Sequence, residues 1–147
     1  MTSESVELVV LIDDSDIDLF VQKRFIEISA FARNILVFQS ARKALQLLTT
    51  PGQRRPDLIF LDLNMPEMDG FAFLEELAKL PQQNVRTKVV ILTSSSSAPD
   101  KARAATFPSV VSFISKPLSE KRLVELKQLV GLNDDRPSGE KSGPSRA

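Results

Sequence analysis

Asp62 is the residue of this sequence best placed to do chemistry. It follows the apolar run LIFL at residues 58–61 and precedes a loop that contains Pro66 and Gly70. A short apolar run bounded by turn residues is typical of a strand buried in a parallel sheet. Open α/β sheets bind ligands at the carboxyl ends of such strands, and a carboxylate there can attack phosphorus as a nucleophile. We therefore predict that Asp62 is a phosphoacceptor.

Further polar residues with suitable chemistry follow other apolar runs. They are Asp13 and Asp14 after residues 8–12, Thr93 after residues 89–92, and Lys116 after residues 110–114. Neighbouring carboxylates repel one another unless a cation neutralises them. Because the chain contains neither Cys nor His, an oxygen-only site favours Mg²⁺. Lys116 would neutralise a phosphoryl oxygen, and the hydroxyl of Thr93 would donate to another.

Five strand–helix units must position these residues. The predicted strands are residues 8–12, 35–38, 58–61, 89–92 and 110–114. Such an alternation implies a parallel sheet with helices on both faces and right-handed crossovers. We predict an α/β fold of the flavodoxin-like (βα)5 type, a doubly wound sandwich with a five-stranded parallel sheet of order 2-1-3-4-5. That order places Asp13 and Asp14 beside Asp62.

Apolar residues at helical spacing predict the buried faces of the helices. Ser15 and Asp18 fit a capping box, and Ser40 and Ser119 are suitable N-caps. The predicted faces are Ile17, Phe20, Val21, Phe25 and Ile28; Ala41, Ala44, Leu45 and Leu48; Phe71, Leu74, Leu77 and Ala78 before Pro81; and Leu123, Leu126, Leu129 and Val130 before Gly131. A short Ala-rich segment, residues 100–105, is the fourth predicted helix.

Length and charge restrict the function further. The 147 residues suit one domain, which we expect to span residues 1–131, followed by a disordered tail at residues 132–147 that is rich in Gly, Pro, Ser and charged residues. The 19 basic and 19 acidic residues balance, so we expect neither nucleic acid nor a membrane surface as a partner. The first apolar run is too short for a signal sequence, and a cytoplasmic location is expected.

Four separated motifs resemble the response regulator receiver domain of two-component signalling. They are the pair Asp13 and Asp14, the segment FLDLNMPEMDG at residues 60–70, ILTS at residues 91–94, and Lys116 with Pro117. Their order and number make the resemblance far more specific than one motif would. It covers residues 6–131 and implies a stand-alone, CheY-like receiver that is a phosphoacceptor and not an enzyme with a substrate of its own.

The resemblance also implies the partners and the ligands. Asp62 would accept a phosphoryl group from a phosphohistidine of a sensor histidine kinase or a histidine phosphotransferase. Asp14, Asp62 and the backbone carbonyl of Asn64 would hold Mg²⁺, with Asp13 assisting through water. The sequence does not decide whether the Lys116–Pro117 bond is cis or trans, although the resemblance suggests cis. The oligomeric state stays open, with a phosphorylation-dependent dimer as one alternative.

The resemblance further implies a conformational signal. Thr93 would move toward the phosphoryl group and Phe113, at a position often held by Tyr, would swing inward. The surface formed by the fourth helix, the fifth strand and the fifth helix would then bind a downstream protein. Asn64 and Ser95 stand where side chains tune dephosphorylation, so they would set the lifetime of the signal.

Two other functions are compatible with part of this pattern. A Mg²⁺-dependent phosphohydrolase that works through an aspartyl phosphate would share Asp62 and the metal, but Asn64 is an amide where such enzymes usually have a second carboxylate. A docking module that is never phosphorylated would use the same fold. Asp13 and Asp14 could also simply begin a helix, Asp62 and Thr93 are ordinary residues after strands, and Phe113 is equally compatible with a core position.

Overall fold

The structure, a computed structural model, describes residues 6–80, 87–94 and 97–133. Strands and helices alternate along the chain. The strands are β1 (Val6–Ile12), β2 (Ala32–Phe38), β3 (Leu58–Leu61), β4 (Lys88–Thr93) and β5 (Val110–Ser115). The helices are α1 (Asp16–Ile28), α2 (Ala41–Leu48), α3 (Gly70–Ala78), α4 (Ala98–Ala104) and α5 (Glu120–Asn133). No helix in these described ranges is long and apolar enough to cross a membrane.

The strands form one parallel sheet in the order β2-β1-β3-β4-β5. This arrangement confirms the predicted flavodoxin-like doubly wound fold. In the register between β1 and β3, Ile12 lies opposite Leu61, and the Asp62 amide donates to the Ile12 carbonyl at 3.0 Å. The two acidic strand ends are therefore held side by side by backbone hydrogen bonds.

Helices cover both faces of the sheet, and the apolar side chains form two core clusters. On one face α1 and α5 contribute Leu19, Ile26, Leu123 and Leu126, packed on β1, β3 and β4. On the other face α2, α3 and α4 contribute Ala41, Ala44, Leu48, Phe71, Leu74, Leu77 and Ala104. All of β3 is buried, as expected for a central strand covered on both faces.

The buried face of α1 differs from the predicted one. Ile17, Phe20 and Ile28 are exposed, whereas Leu19, Gln22 and Ile26 are buried. The periodicity of the apolar residues favoured the wrong stripe because a polar residue, Gln22, occupies the buried face. Val21 and Phe25 lie between the two faces and are partly buried. Tertiary hydrogen bonding thus overrides hydropathy in this helix.

Smaller differences affect the ends of the elements. Strands β1 and β2 begin before the predicted residues, at Val6 and Ala32, and α4 begins at Ala98 because Ser97 caps it. Ala78 and Leu129 are exposed, so their assignment to buried faces was wrong.

The predicted end of α5 was also wrong, since Gly131 does not stop the helix, which continues to Asn133. The tail prediction beyond residue 133, the stop at Pro81 and the side chain of Val130 lie outside the described residues.

Candidate functional site

The predicted site residues meet at the carboxyl edge of the sheet. Asp13 follows β1, Asp62 follows β3, Thr93 ends β4 and Lys116 follows β5. The Lys116 amide donates to the Thr93 carbonyl at 2.9 Å, which joins the last two of these strand ends. The Lys116–Pro117 bond is cis, as the resemblance implied. The parallel topology therefore gathers groups as distant in sequence as Asp13 and Lys116.

Three carboxylates lie close enough to share one cation. Each of Asp13, Asp14 and Asp62 offers an oxygen, and these oxygens lie within 4.8 Å of one another. Asp13 and Asp62 are buried and Asp14 is exposed, so the group opens to solvent on one side. An oxygen-only donor set that keeps positions for water fits Mg²⁺. The residues present thus fit the metal that the sequence predicts.

Lys116 lies at the centre of a four-membered charge network. Its Nζ is 2.7 Å from an Asp13 oxygen, 2.8 Å from an Asp18 oxygen and 3.2 Å from Asp62 Oδ2. The Lys116 side chain is only 13% exposed. A partly buried ammonium with charged acceptors is held more firmly than a surface lysine. The cation is therefore fixed beside the predicted nucleophile.

Helix α1 adds two residues to the site that the sequence did not predict there. Gln22 is buried and its Nε2 donates to Asp13 Oδ2 at 3.2 Å, while Asp18 accepts from Lys116. These residues are four apart and so share a helix face. The i, i+4 spacing of these two polar residues beside Leu19 could have indicated that this face of α1 is buried. The apolar residues Ile17 and Phe20 favoured the other face.

The predicted capping box at the start of α1 is only half formed. Ser15 accepts a hydrogen bond from the Asp18 amide at 3.2 Å, as an N-cap does. The reciprocal bond comes from Asp13 instead, whose Oδ1 accepts from the Ser15 amide at 3.0 Å. The carboxylate of Asp18 is thereby available for Lys116.

An excess of negative charge characterises this site. Burial raises the pKa of Asp13; hydrogen bonds from Lys116 and Ser15 oppose that rise without cancelling it. Burial lowers the pKa of Lys116, but hydrogen bonds to Asp13 and Asp18 and the charges of Asp13 and Asp62 more than reverse this, so its pKa is raised. Asp13 therefore holds its proton more tightly chiefly because it is buried, and Lys116 because it is surrounded by carboxylates. A divalent cation would relieve this imbalance.

The loop after Asp62 is placed around the acceptor. The Asn64 amide donates to Asp62 Oδ1 at 3.3 Å, and Asn64 Nδ2 lies 3.5 Å from Thr93 Oγ1. Thr93 is fully buried, and Phe113 is partly buried against the cluster on the α2–α4 face. Ser95 lies outside the described residues. Asn64 is therefore next to both the acceptor and the hydroxyl predicted to respond to it.

Gly70 allows this loop to return close to the strand end. Its amide donates to the Leu63 carbonyl at 3.0 Å. A Cβ added at Gly70 would lie 2.8 Å from the Asp62 carbonyl oxygen and 2.8 Å from Leu63 Cα, closer than real Cβ atoms approach. The glycine at the start of α3 is thus needed for the position of the Asp62–Leu63 backbone.

Known proteins with similar sequences and folds include response regulators and their receiver domains. The model of the response regulator receiver domain matches residues 9–128. Protein-glutamate methylesterase/protein-glutamine glutaminase 5 of Myxococcus xanthus is 32% identical over 128 residues, which are 86% of this chain and 35% of that protein. The chain spans about a third of the length of the methylesterase relatives.

Solved structures show the same fold. A two-component response regulator from Cytophaga hutchinsonii is 30% identical, with a TM-score of 0.77 over 88% of this chain and 98% of that one. The Mn²⁺-bound form of response regulator Rcp1, a protein of Synechocystis, has a TM-score of 0.68 at 24% identity over 92% of this chain and 99% of that one. By the extent of the family match and the shared fold, the chain belongs to the response regulator receiver domain family.

Proposed function

We propose that this protein accepts a phosphoryl group on Asp62 from a phosphohistidine of a sensor histidine kinase or a histidine phosphotransferase. The observation that carries the proposal is the contact of Lys116 Nζ with Asp62 Oδ2 at 3.2 Å, beside the carboxylates of Asp13 and Asp14. One buried nucleophile, one fixed cation and one group of metal-capable oxygens are what phosphoryl transfer to a carboxylate requires.

In the proposed reaction an oxygen of Asp62 forms a bond to phosphorus while the bond from phosphorus to the donor imidazole nitrogen breaks. Lys116 neutralises one phosphoryl oxygen, and Thr93 donates to another. Mg²⁺, held by Asp14, Asp62 and the Asn64 carbonyl with Asp13 assisting through water, would neutralise the charge of the third oxygen. The protein then contributes positioning and electrostatics and has no separate substrate, so we do not propose an enzyme.

The output belongs to the same proposal. Thr93 ends β4 and its backbone carbonyl accepts from Lys116, so a shift of Thr93 toward a phosphoryl group would reach β5 directly. Phe113, on β5, is only partly buried, and it would turn inward when Thr93 moves. The surface of α4, β5 and α5 would then bind a downstream protein, with Asn64 and Ser95 setting how long the acyl phosphate persists. We also propose a cytoplasmic location.

Two alternatives are less well supported by the site. A phosphohydrolase would usually have a second carboxylate shortly after the acceptor, whereas the residue there is Asn64, whose N–H groups face Asp62 and Thr93. A docking module without phosphorylation would have no use for a lysine shared by three carboxylates at distances of 2.7 to 3.2 Å. Neither alternative accounts for the whole network.

Intact mass spectrometry after incubation with acetyl phosphate, with and without Mg²⁺, tests the proposal. We expect the mass of one phosphoryl group to be added only with Mg²⁺, and Asp62→Asn to abolish the addition because the amide is not a nucleophile. Asp57→Asn is the matched control, since Asp57 also lies beside β3 but at its other end, where it bonds Arg54. Hydrogen exchange on the phosphorylated protein should change in α4, β5 and α5.

Incorporation into Asp62→Asn equal to that of the wild type would show that another residue is the acceptor. Rapid turnover of unrelated phosphate esters would favour the phosphohydrolase, and no incorporation under either condition would favour the docking module.

A further inference from the structure

Asp18 is a carboxylate at the site that the proposed reaction does not use. Its oxygen lies 2.8 Å from Lys116 Nζ, closer than the 3.2 Å that separates Nζ from Asp62 Oδ2. The group of oxygens suited to a metal, within the part of the chain that the structure describes, consists of Asp13, Asp14 and Asp62. Asp18 therefore acts on the lysine and stands apart from the metal ligands.

The placement of Asp18 is specific. It is held at the third position of α1 by its amide bond to Ser15, while Asp13 takes over the reciprocal cap bond. Asp18 is 41% exposed and reaches a lysine 98 residues further along the chain. It is thus the most exposed of the three carboxylates that contact Lys116.

The three N–H groups of the Lys116 ammonium match its three carboxylate partners. A phosphoryl group on Asp62 needs one of these donors for its own oxygen. While Asp18 holds the ammonium, the positive charge is drawn toward α1, and the Asp18 charge itself repels an incoming phosphoryl group. Both effects act in the same direction, against phosphorylation.

We propose that Asp18 is a positioning residue that competes with a phosphoryl group on Asp62 for the Lys116 ammonium and so restrains phosphorylation of the acceptor. This inference rests on the proposed function, in which Asp62 is the phosphoacceptor. The restraint sets a basal rate that a bound donor protein would overcome by displacing Asp18 from the lysine.

The rate constant of phosphorylation by acetyl phosphate in saturating Mg²⁺ tests this restraint. Asp18→Asn keeps the size of the side chain and removes its charge, so we expect phosphorylation about 1.4- to fivefold faster, the range for an exposed ion pair. Asp16→Asn is the matched control, because Asp16 is the other acidic residue of the first turn of α1 and is exposed. It removes the same charge from the same helix end without touching Lys116.

A conservative variant separates positioning from stability. Asp18→Glu keeps the charge and should restore a rate near that of the wild type, whereas a purely structural role would leave both variants altered in proportion to their melting temperatures. If Asp18→Asn reacts no faster than Asp16→Asn, or more slowly than the wild type, the restraint is overturned and the proposed function stands. If the wild-type protein accepts no phosphoryl group at all, the proposed function fails and the restraint fails with it.

Discussion

At the scale of single residues, the site depends on how each charge is held. Asp13 accepts from Ser15, Gln22 and Lys116, so its two oxygens are oriented before any cation arrives. Gln22 has no charge, yet it is buried and donates to Asp13. Side chains that orient a metal ligand commonly matter for the metal as much as for the fold.

We predict that Gln22→Leu weakens Mg²⁺ binding about tenfold, because Asp13 loses the donor that fixes Oδ2. Isothermal titration with Mg²⁺ measures the dissociation constant. Gln46→Leu is the control, since Gln46 is an exposed glutamine on α2 and should leave binding unchanged. An unchanged dissociation constant in folded Gln22→Leu would show that Lys116 and Ser15 suffice to orient Asp13.

At the scale of elements, loop and helix ends decide where the acceptor lies. Strand β3 is buried throughout, and the chain turns back at Gly70 to begin α3 under the N-cap Asp69. The close approach of Gly70 to Asp62 and Leu63 couples the start of the helix to the end of the strand. Any side chain added at position 70 must displace either the start of α3 or the backbone of Asp62 and Leu63.

We therefore predict that Gly70→Ala lowers the free energy of unfolding by about 1–3 kcal/mol, as other overpacked sites do, and slows phosphorylation of Asp62. Denaturant unfolding and the acetyl phosphate reaction measure the two effects. Gly52→Ala is a useful comparison because Gly52 has φ +84° in open space. It should cost about 1 kcal/mol through backbone strain alone and leave phosphorylation unchanged.

At the scale of the whole molecule, the charge at the site is linked to the stability of the fold. Because burial raises the pKa of Asp13 above its ordinary value, the folded protein binds a proton there more tightly than the unfolded chain does. Ionised Asp13 thus costs stability, and the cost is fully present once the pH exceeds the raised value. A cation that binds only the folded protein with Asp13 ionised offsets this loss of stability.

We predict that Mg²⁺ raises the melting temperature at neutral pH and that this gain declines as the pH falls through the raised pKa of Asp13, since the ligand must be deprotonated. Thermal unfolding with Mg²⁺ or with a chelator at several pH values measures the gain. Asp13→Asn should show a smaller gain with a flatter pH dependence. An equal gain at neutral and acidic pH in the wild type would mean that Asp13 takes no part in the metal site.

The sequence by itself determined the fold and the main residues of the site. Apolar runs that end in Asp13, Asp62, Thr93 and Lys116 are a local signal, and short crossovers leave few topologies for five parallel strands. The observed strand order follows from this. The roles of these residues in phosphoryl transfer, and that of Ser95, are still predictions.

Only the tertiary structure decided which face of α1 is buried and what Asp18 and Gln22 contact. Hydropathy favours burying Ile17 and Phe20, but the buried acid Asp13 requires hydrogen-bond donors, and Gln22 supplies one from the face turned toward the sheet. The contact between Asp18 and Lys116 joins residues 98 apart. Such a pairing depends on how α1 packs against the sheet and on where β5 ends. A local sequence pattern carries no information about either.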